Sequence, residues 1–203
     1  MEVTTNKCTL RPWSPLDKAD LIIAANNRKV WRNLTHMFPH PYTESDADQW
    51  LEFIANTPES THFAIEVDGR AIGGIGAVIG QGIFAKTGEF GYWIAEPYWG
   101  RGITTAATLW FSRFIIASQN LHRLQAYVFA WNNASMRVLE KSGFIREAVL
   151  NRSAVKDGQV VNEVLFALTD QRIKMLRAPI RFQADCQREF EVHIDASEGV
   201  TVG

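Results

Sequence analysis

The chain has 203 residues, 46% of them hydrophobic and 21% charged, with a formal net charge of −1. That is the composition of an ordinary globular protein, at a length that suits one domain with or without an appendage. The near-neutral balance gives no reason to expect nucleic acid as a partner, two cysteines (Cys8 and Cys186) exclude a disulfide framework, and no apolar run approaches the ~18 to 20 residues that would span a bilayer. The first residues, MEVTTNKCTL, lack the apolar run of a secretory leader. Together with the sparse cysteines, this makes a cytoplasmic location the expectation.

Residues 7–13 alternate weakly and end before Ser14-Pro15, so a first strand is expected there. Ser14 as cap and Pro15 at the first helical position then predict a helix to about Asn27. Residues 28–43 read as irregular, because Pro39 and Pro41 forbid a helix. Thr43 and Asp46 form a capping-box pattern ahead of a helix whose buried face carries Trp50, Leu51 and Ile54, ending before Pro58. Thr61–Val67 alternates as a strand, Asp68-Gly69 is a two-residue hairpin signal, and Ala71–Ile79 is the returning strand, its bulk lowered by glycines. A loop over residues 80–88 leads to a strand whose aromatic and β-branched content lies in Phe90, Tyr92, Trp93 and Ile94.

Pro97 ends that strand, Gly100-Arg101-Gly102 turns tightly, and an apolar helix is predicted over Ile103–Ser118. A strand is expected over 123–130. A short helix follows, started by Asn132 to Ser135 and stopped by Gly143 in a left-handed conformation. Two strands, 144–155 and 160–168, are joined at Asp157-Gly158. The fold class is therefore α+β: a mixed, mostly antiparallel twisted sheet flanked by helices. Residues 1–170 make the domain and 171–203 an extension without an evident role. In that extension a short helix at 171–176 and a strand at 188–194 are the only patterns.

The strand, glycine turn and helix built by residues 89–107 suggest an anion site. The first N–H groups of a helix lack partners and carry a partial positive charge. Glycines let a phosphate approach the backbone, and Arg101 adds a cation. The same glycines also serve simply to turn the chain. No GK[ST] follows, and the third glycine of a GxGxxG falls on Thr105, which argues against ATP and NAD.

Gly91-Tyr92-Trp93 followed by Trp99-Gly100-Arg101-Gly102, with Trp131 to Phe144 (WNNASMRVLEKSGF), resembles the GNAT acyltransferases, and within them the RimJ/RimL type that acetylates ribosomal-protein N-termini. The resemblance covers about residues 8–170 and implies the GNAT fold with acetyl-CoA as co-substrate. It implies that Ile94 and Ala95 offer unpaired backbone groups to the pantetheine arm, and that Gly100, Arg101, Gly102, Ile103 and Thr104 hold the diphosphate. Thr104 departs from the usual small residue. Asn132 would bond the pantetheine, Ser135 would sit by the sulfur, and Arg137 or Lys141 by the nucleotide phosphates. Asn132 and Ser135 are equally good helix-capping types.

Transfer needs a base for the amine and an acid for the leaving thiolate. Glu89, on the face shared by residues 89, 91 and 93, is the preferred base, with Glu163 second. The family's usual acid, a tyrosine, is replaced by Leu139. The resemblance to the RimJ/RimL type then implies Ser135 as the acid, with Tyr127 as an alternative. The five histidines show no metal spacing, so no metal is expected. The expected reaction moves an acetyl group to a primary amine, on a protein N-terminus or a small molecule. The expected partners exclude membranes, and a homodimer stays open. A catalytically weak acyl-CoA-binding module of the same fold is the alternative.

Overall fold

The computed structural model describes residues 2–57 and 61–175. Its strands are β1 (Val3–Thr4), β2 (Thr9–Arg11), β3 (His62–Val67), β4 (Arg70–Ile79), β5 (Thr87–Ile94), β6 (Arg123–Phe129), β7 (Ile145–Lys156) and β8 (Gln159–Thr169). Its helices are α1 (Lys18–Ala25), α2 (Arg28–Trp31), α3 (Glu44–Ala55), α4 (Ile103–Ser118), α5 (Asn133–Lys141) and α6 (Asp170–Met175). The strands form one sheet in the order β1-β2-β3-β4-β5-β6-β8-β7. Every neighbouring pair is antiparallel except β5 and β6, which the α4 crossover makes parallel.

Local chemistry explains most boundaries. Thr43 accepts from the Asp46 N–H while the Asp46 carboxylate accepts from the Thr43 N–H at 2.7 Å, so the expected capping box starts α3. Asp68 and Gly69 both take positive φ, as do Asp157 and Gly158, which closes both hairpins as expected. Gly143 ends α5 at φ 94°. Two elements escaped the sequence. β1 is a separate two-residue strand paired to β2. Residues 28–31 form the short helix α2, nucleated because the Asn27 side chain accepts from the Lys29 and Val30 N–H groups. The short helix expected at 171–176 is α6, and the strand expected at 188–194 lies outside the described residues.

Helices cover both faces of the sheet. On one face α4 lays Ile103, Ala107, Phe111 and Ile115 against Phe63, Phe90 and Leu124, and Phe90 stacks between Phe111 and Phe144. On the other, Leu21 and Ala25 of α1 and Ala47 and Ile54 of α3 pack with Trp13 and Tyr42. The β4 glycines make this second layer possible: a Cβ on Gly76 would lie 2.4 Å from the His62 ring, and one on Gly74 3.0 Å from the Trp93 indole. Arg11 joins the layers by donating two bonds to Asp17, at 2.7 and 2.8 Å, and one to Glu66. Phe111 is fully enclosed. Its replacement by Ala is expected to destabilise the protein by about 3–5 kcal/mol, because the surrounding rings cannot collapse into the space; chemical denaturation will measure it.

Candidate active site

The pairing of β5 with β6 is short. It runs from Thr87↔Arg123 to Glu89↔Gln125 and stops. β5 then continues to Ile94 against β4, and β6 continues to Phe129 against β8. The two strands therefore diverge, and their facing edges open a wedge at their C-terminal ends.

The structure corrects the expected backbone chemistry of that wedge. The Ala95 N–H donates to the Ile72 carbonyl at 2.8 Å, and the Ala95 carbonyl accepts from Tyr98 N–H at 3.0 Å, so Ala95 offers no unpaired group. Antiparallel bonding alternates, so Ile94 turns its own N–H and C=O away from β4 and into the wedge. The Ile94 carbonyl accepts there from the Trp99 indole N–H at 2.8 Å. Trp99 thus braces the end of β5 with a bond the sequence did not signal.

Beyond Trp99, Gly100 and Gly102 adopt φ of 75° and 78°. Gly102 is the N-cap of α4, and having no side chain it leaves the first-turn N–H groups of Ile103, Thr104 and Thr105 uncapped. The first turn holds no acidic residue. Among the described residues, a Cβ at either glycine would meet nothing within 4 Å. The exposed Arg101 guanidinium lies 5.2 Å from the Tyr98 ring centroid. An open, positive cradle of this kind fits a diphosphate.

Asn132 caps α5 by accepting from Ser135 N–H at 3.1 Å, so capping, the simpler of its two readings, is realised. Arg137 and Lys141 are exposed on the same helix, and Leu139 is fully buried in the core. The residue that sequence reasoning missed is Tyr92. Its hydroxyl donates to the Ser135 carbonyl at 3.1 Å and lies 2.8 Å from Ser135 Oγ. Burial pushes its phenol far above the usual range, against the weaker opposing effect of the Ser135 hydrogen bond. It therefore stays protonated. Strand alternation was the available signal, since it turns Tyr92 toward the helix that carries Ser135.

Glu89 lies on the opposite face. It is exposed beside its cross-strand neighbours Val78 and Gln125, and Gln125 Nε2 donates to Tyr127 Oη at 3.2 Å. Gly91, next along that face, has open space where a side chain would stand. The candidate base and the Ser135–Tyr92 pair thus occupy the two sides of the sheet, with the wedge between them. Glu163 is less suited to act as a base: it accepts from Ser153 Oγ at 2.9 Å within the β7–β8 hairpin. Among the described residues no group of three or more side chains could ligate a metal, and no helix is long and apolar enough to cross a membrane.

A mixed sheet that opens between its parallel strands, beside a glycine-capped helix end, defines an acyltransferase scaffold. The chain belongs to the GNAT acetyltransferase family, since the pattern of the acetyltransferase (GNAT) domain matches residues 7–145, more than half of its length. It is 26% identical over 174 residues to the SPbeta prophage-derived uncharacterized N-acetyltransferase YokL of Bacillus subtilis (strain 168), covering 85% of this chain and 95% of that protein. RimJ of Mycobacterium smegmatis, in complex with CoA-disulfide, superposes with a TM-score of 0.72 at 24% identity, over 85% of this chain and 88% of that one. Spermidine N-acetyltransferase of Vibrio cholerae, in complex with CoA and spermine, gives 0.70 at 18% identity, over 83% and 98%.

Proposed function

We propose that the chain transfers an acetyl group from acetyl-CoA to a primary amine by direct attack within a ternary complex. The divergence of β5 and β6 immediately before the uncapped N-terminus of α4 carries this reading. When bound, acetyl-CoA supplies an already activated acyl thioester. The α4 amides, with Arg101, hold its diphosphate, and Arg137 reaches a nucleotide phosphate. The inward-facing backbone of Ile94 and the Asn132 amide bond the pantetheine arm as though it were an added strand. Ala95 contributes only by fixing the end of β5.

From the open face, Glu89 accepts the proton that the attacking amine sheds, directly or through water. From the other, Ser135 hands a proton toward the leaving sulfur and regains one from solvent, while the Tyr92 hydroxyl, which keeps its own proton, holds the serine in position. The acceptor is a protein N-terminus or a small amine. The RimJ/RimL-like motifs favour the first, and RimJ and the spermidine enzyme share the fold with this chain.

Thiol release from acetyl-CoA with a panel of amines and N-terminal peptides tests the proposal. Saturable CoA binding without turnover on any acceptor would instead support the binding module. Glu89→Gln is expected to lower kcat by about a hundredfold or more, the range for a lost general base, and to leave CoA affinity intact. An unchanged kcat would remove Glu89 from the mechanism.

A further inference from the structure

α2 bridges the ends of several strands. Asn27 Nδ2 and Lys29 Nζ both donate to Glu96, just past β5, the first at 2.9 Å. Trp131 Nε1, just past β6, donates to Asn33 Oδ1 at 3.0 Å. Arg28 donates to Asp157, in the β7–β8 turn. These bonds set α2 beside the mouth of the wedge.

There the fold encloses an open pocket of about 230 Å³, lined by Arg28, Arg32, Trp131, Lys156, Asp157 and Gln159. Three cations face one carboxylate in a chain whose net charge is −1. Asp157 is taken by Arg28. Among the described residues, neither Arg32 nor Lys156 forms an ion pair, though the nearby charge of Asp157 acts on Lys156. The Arg32 guanidinium lies 5.2 Å from the Trp131 ring centroid, and Lys156 Nζ 3.6 Å from that of Trp31.

Lys156 is the decisive residue. It is only 6% exposed, and among the described residues its Nζ has no hydrogen-bond partner. An ammonium carries three donors, and burying it unsatisfied is costly. Desolvation accordingly holds its pKa below the ordinary lysine range. An oxyanion entering the pocket would satisfy those donors and offset the mutual repulsion of the cations, while the indole of Trp131 would pack on an adjoining methylene or planar group.

We infer that this pocket receives an anionic group, a carboxylate or a phosphate-type oxyanion, carried by the amine acceptor itself. The assignment rests on the acetyl-transfer reading. No lining residue comes from α4 or α5, the helices given to the cofactor. The volume suits one small oxyanion with a short linker, not a nucleotide.

The test compares matched acceptors: β-alanine against β-alaninamide, and O-phosphoethanolamine against ethanolamine. Thiol release from acetyl-CoA gives kcat/KM for each, and calorimetry on the CoA-loaded protein gives affinity. The charged member of at least one pair is expected to be preferred by about tenfold or more, the scale of one well-made charged contact. Which pair shows the larger ratio identifies the oxyanion. In Arg32→Gln and in Lys156→Met that ratio falls toward one, with CoA affinity and the thermal midpoint as controls for folding.

Equal kcat/KM for charged and neutral members, in a protein that turns over, overturns the pocket's assignment and leaves acetyl transfer standing. If none of these amines turns over, calorimetry decides: equal affinities overturn the assignment, and a tighter charged member supports it. Failure of CoA to bind at all overturns the acetyl-transfer reading, and the acceptor role of the pocket with it.

Discussion

Tyr92→Phe is expected to reduce kcat by about a hundredfold, the lower end of what a positioned proton donor contributes, without changing CoA affinity. The lost atom is the hydroxyl that donates to the Ser135 carbonyl at 3.1 Å and contacts Ser135 Oγ at 2.8 Å. Tyr92 carries one hydroxyl proton. With that proton on the carbonyl, the short contact requires the Ser135 hydroxyl to donate to Tyr92 Oη. Tyr92 thereby holds both the backbone and the hydroxyl of Ser135 in place, and the serine proton swings from Tyr92 Oη to the sulfur as the thiolate leaves.

Ser135→Ala should cost about as much as Tyr92→Phe. The double variant should be little worse than either single one, because groups that act as a unit lose their effect together. Because burial raises the Tyr92 pKa, the hydroxyl stays protonated from neutral pH upward through the ordinary tyrosine range. A fall in rate between neutral pH and about pH 9 therefore belongs to another group. Each variant's thermal midpoint should be measured as well, since losing this partly buried hydrogen bond costs stability of about 1 kcal/mol. Full kcat in both single variants would dismiss the pair from catalysis.

Gly102→Val should weaken CoA binding by about 10- to 100-fold. Two effects combine. Gly102 holds φ 78°, where a side chain costs about 1–2 kcal/mol. Its branched side chain would also stand in the open space before the α4 amides, and each charge-assisted bond lost there is worth about 1.5–3 kcal/mol. Gly69→Val separates the two effects. Gly69 has φ 76° and equally open surroundings, but it sits in the β3–β4 turn. It should reproduce the loss of stability and spare CoA affinity. Binding by Gly102→Val as tight as that of the native chain would remove the cradle.

Thr104 and Asn132 show how a motif can indicate a position before it indicates a role. Thr104 does fall in the first turn of α4, where its backbone N–H is uncapped. Asn132 does fall at the start of α5, but its carbonyl oxygen is engaged in the cap, which leaves only its amide N–H groups for a ligand. For Leu139, the substitution that removes the family tyrosine is a core residue, enclosed under α5. The donor proposed above, Ser135, sits on the same helix and is held there by Tyr92 from β5.

What the sequence determined by itself is everything held by short-range chemistry. Ile103–Ser118, the Thr43–Asp46 capping box, the two Asp-Gly turns and the Gly143 stop were all legible, because dihedral preference and capping act within a few residues. Only the tertiary structure decided where β5 parts from β6, that Ala95 N–H is bonded to Ile72, that Tyr92 meets Ser135 from 43 positions away, and that Arg28 meets Asp157 from 129 away. Those outcomes depend on register and on which strand edge runs out of a partner. Both are settled when the whole sheet packs, and no local window of residues carries them.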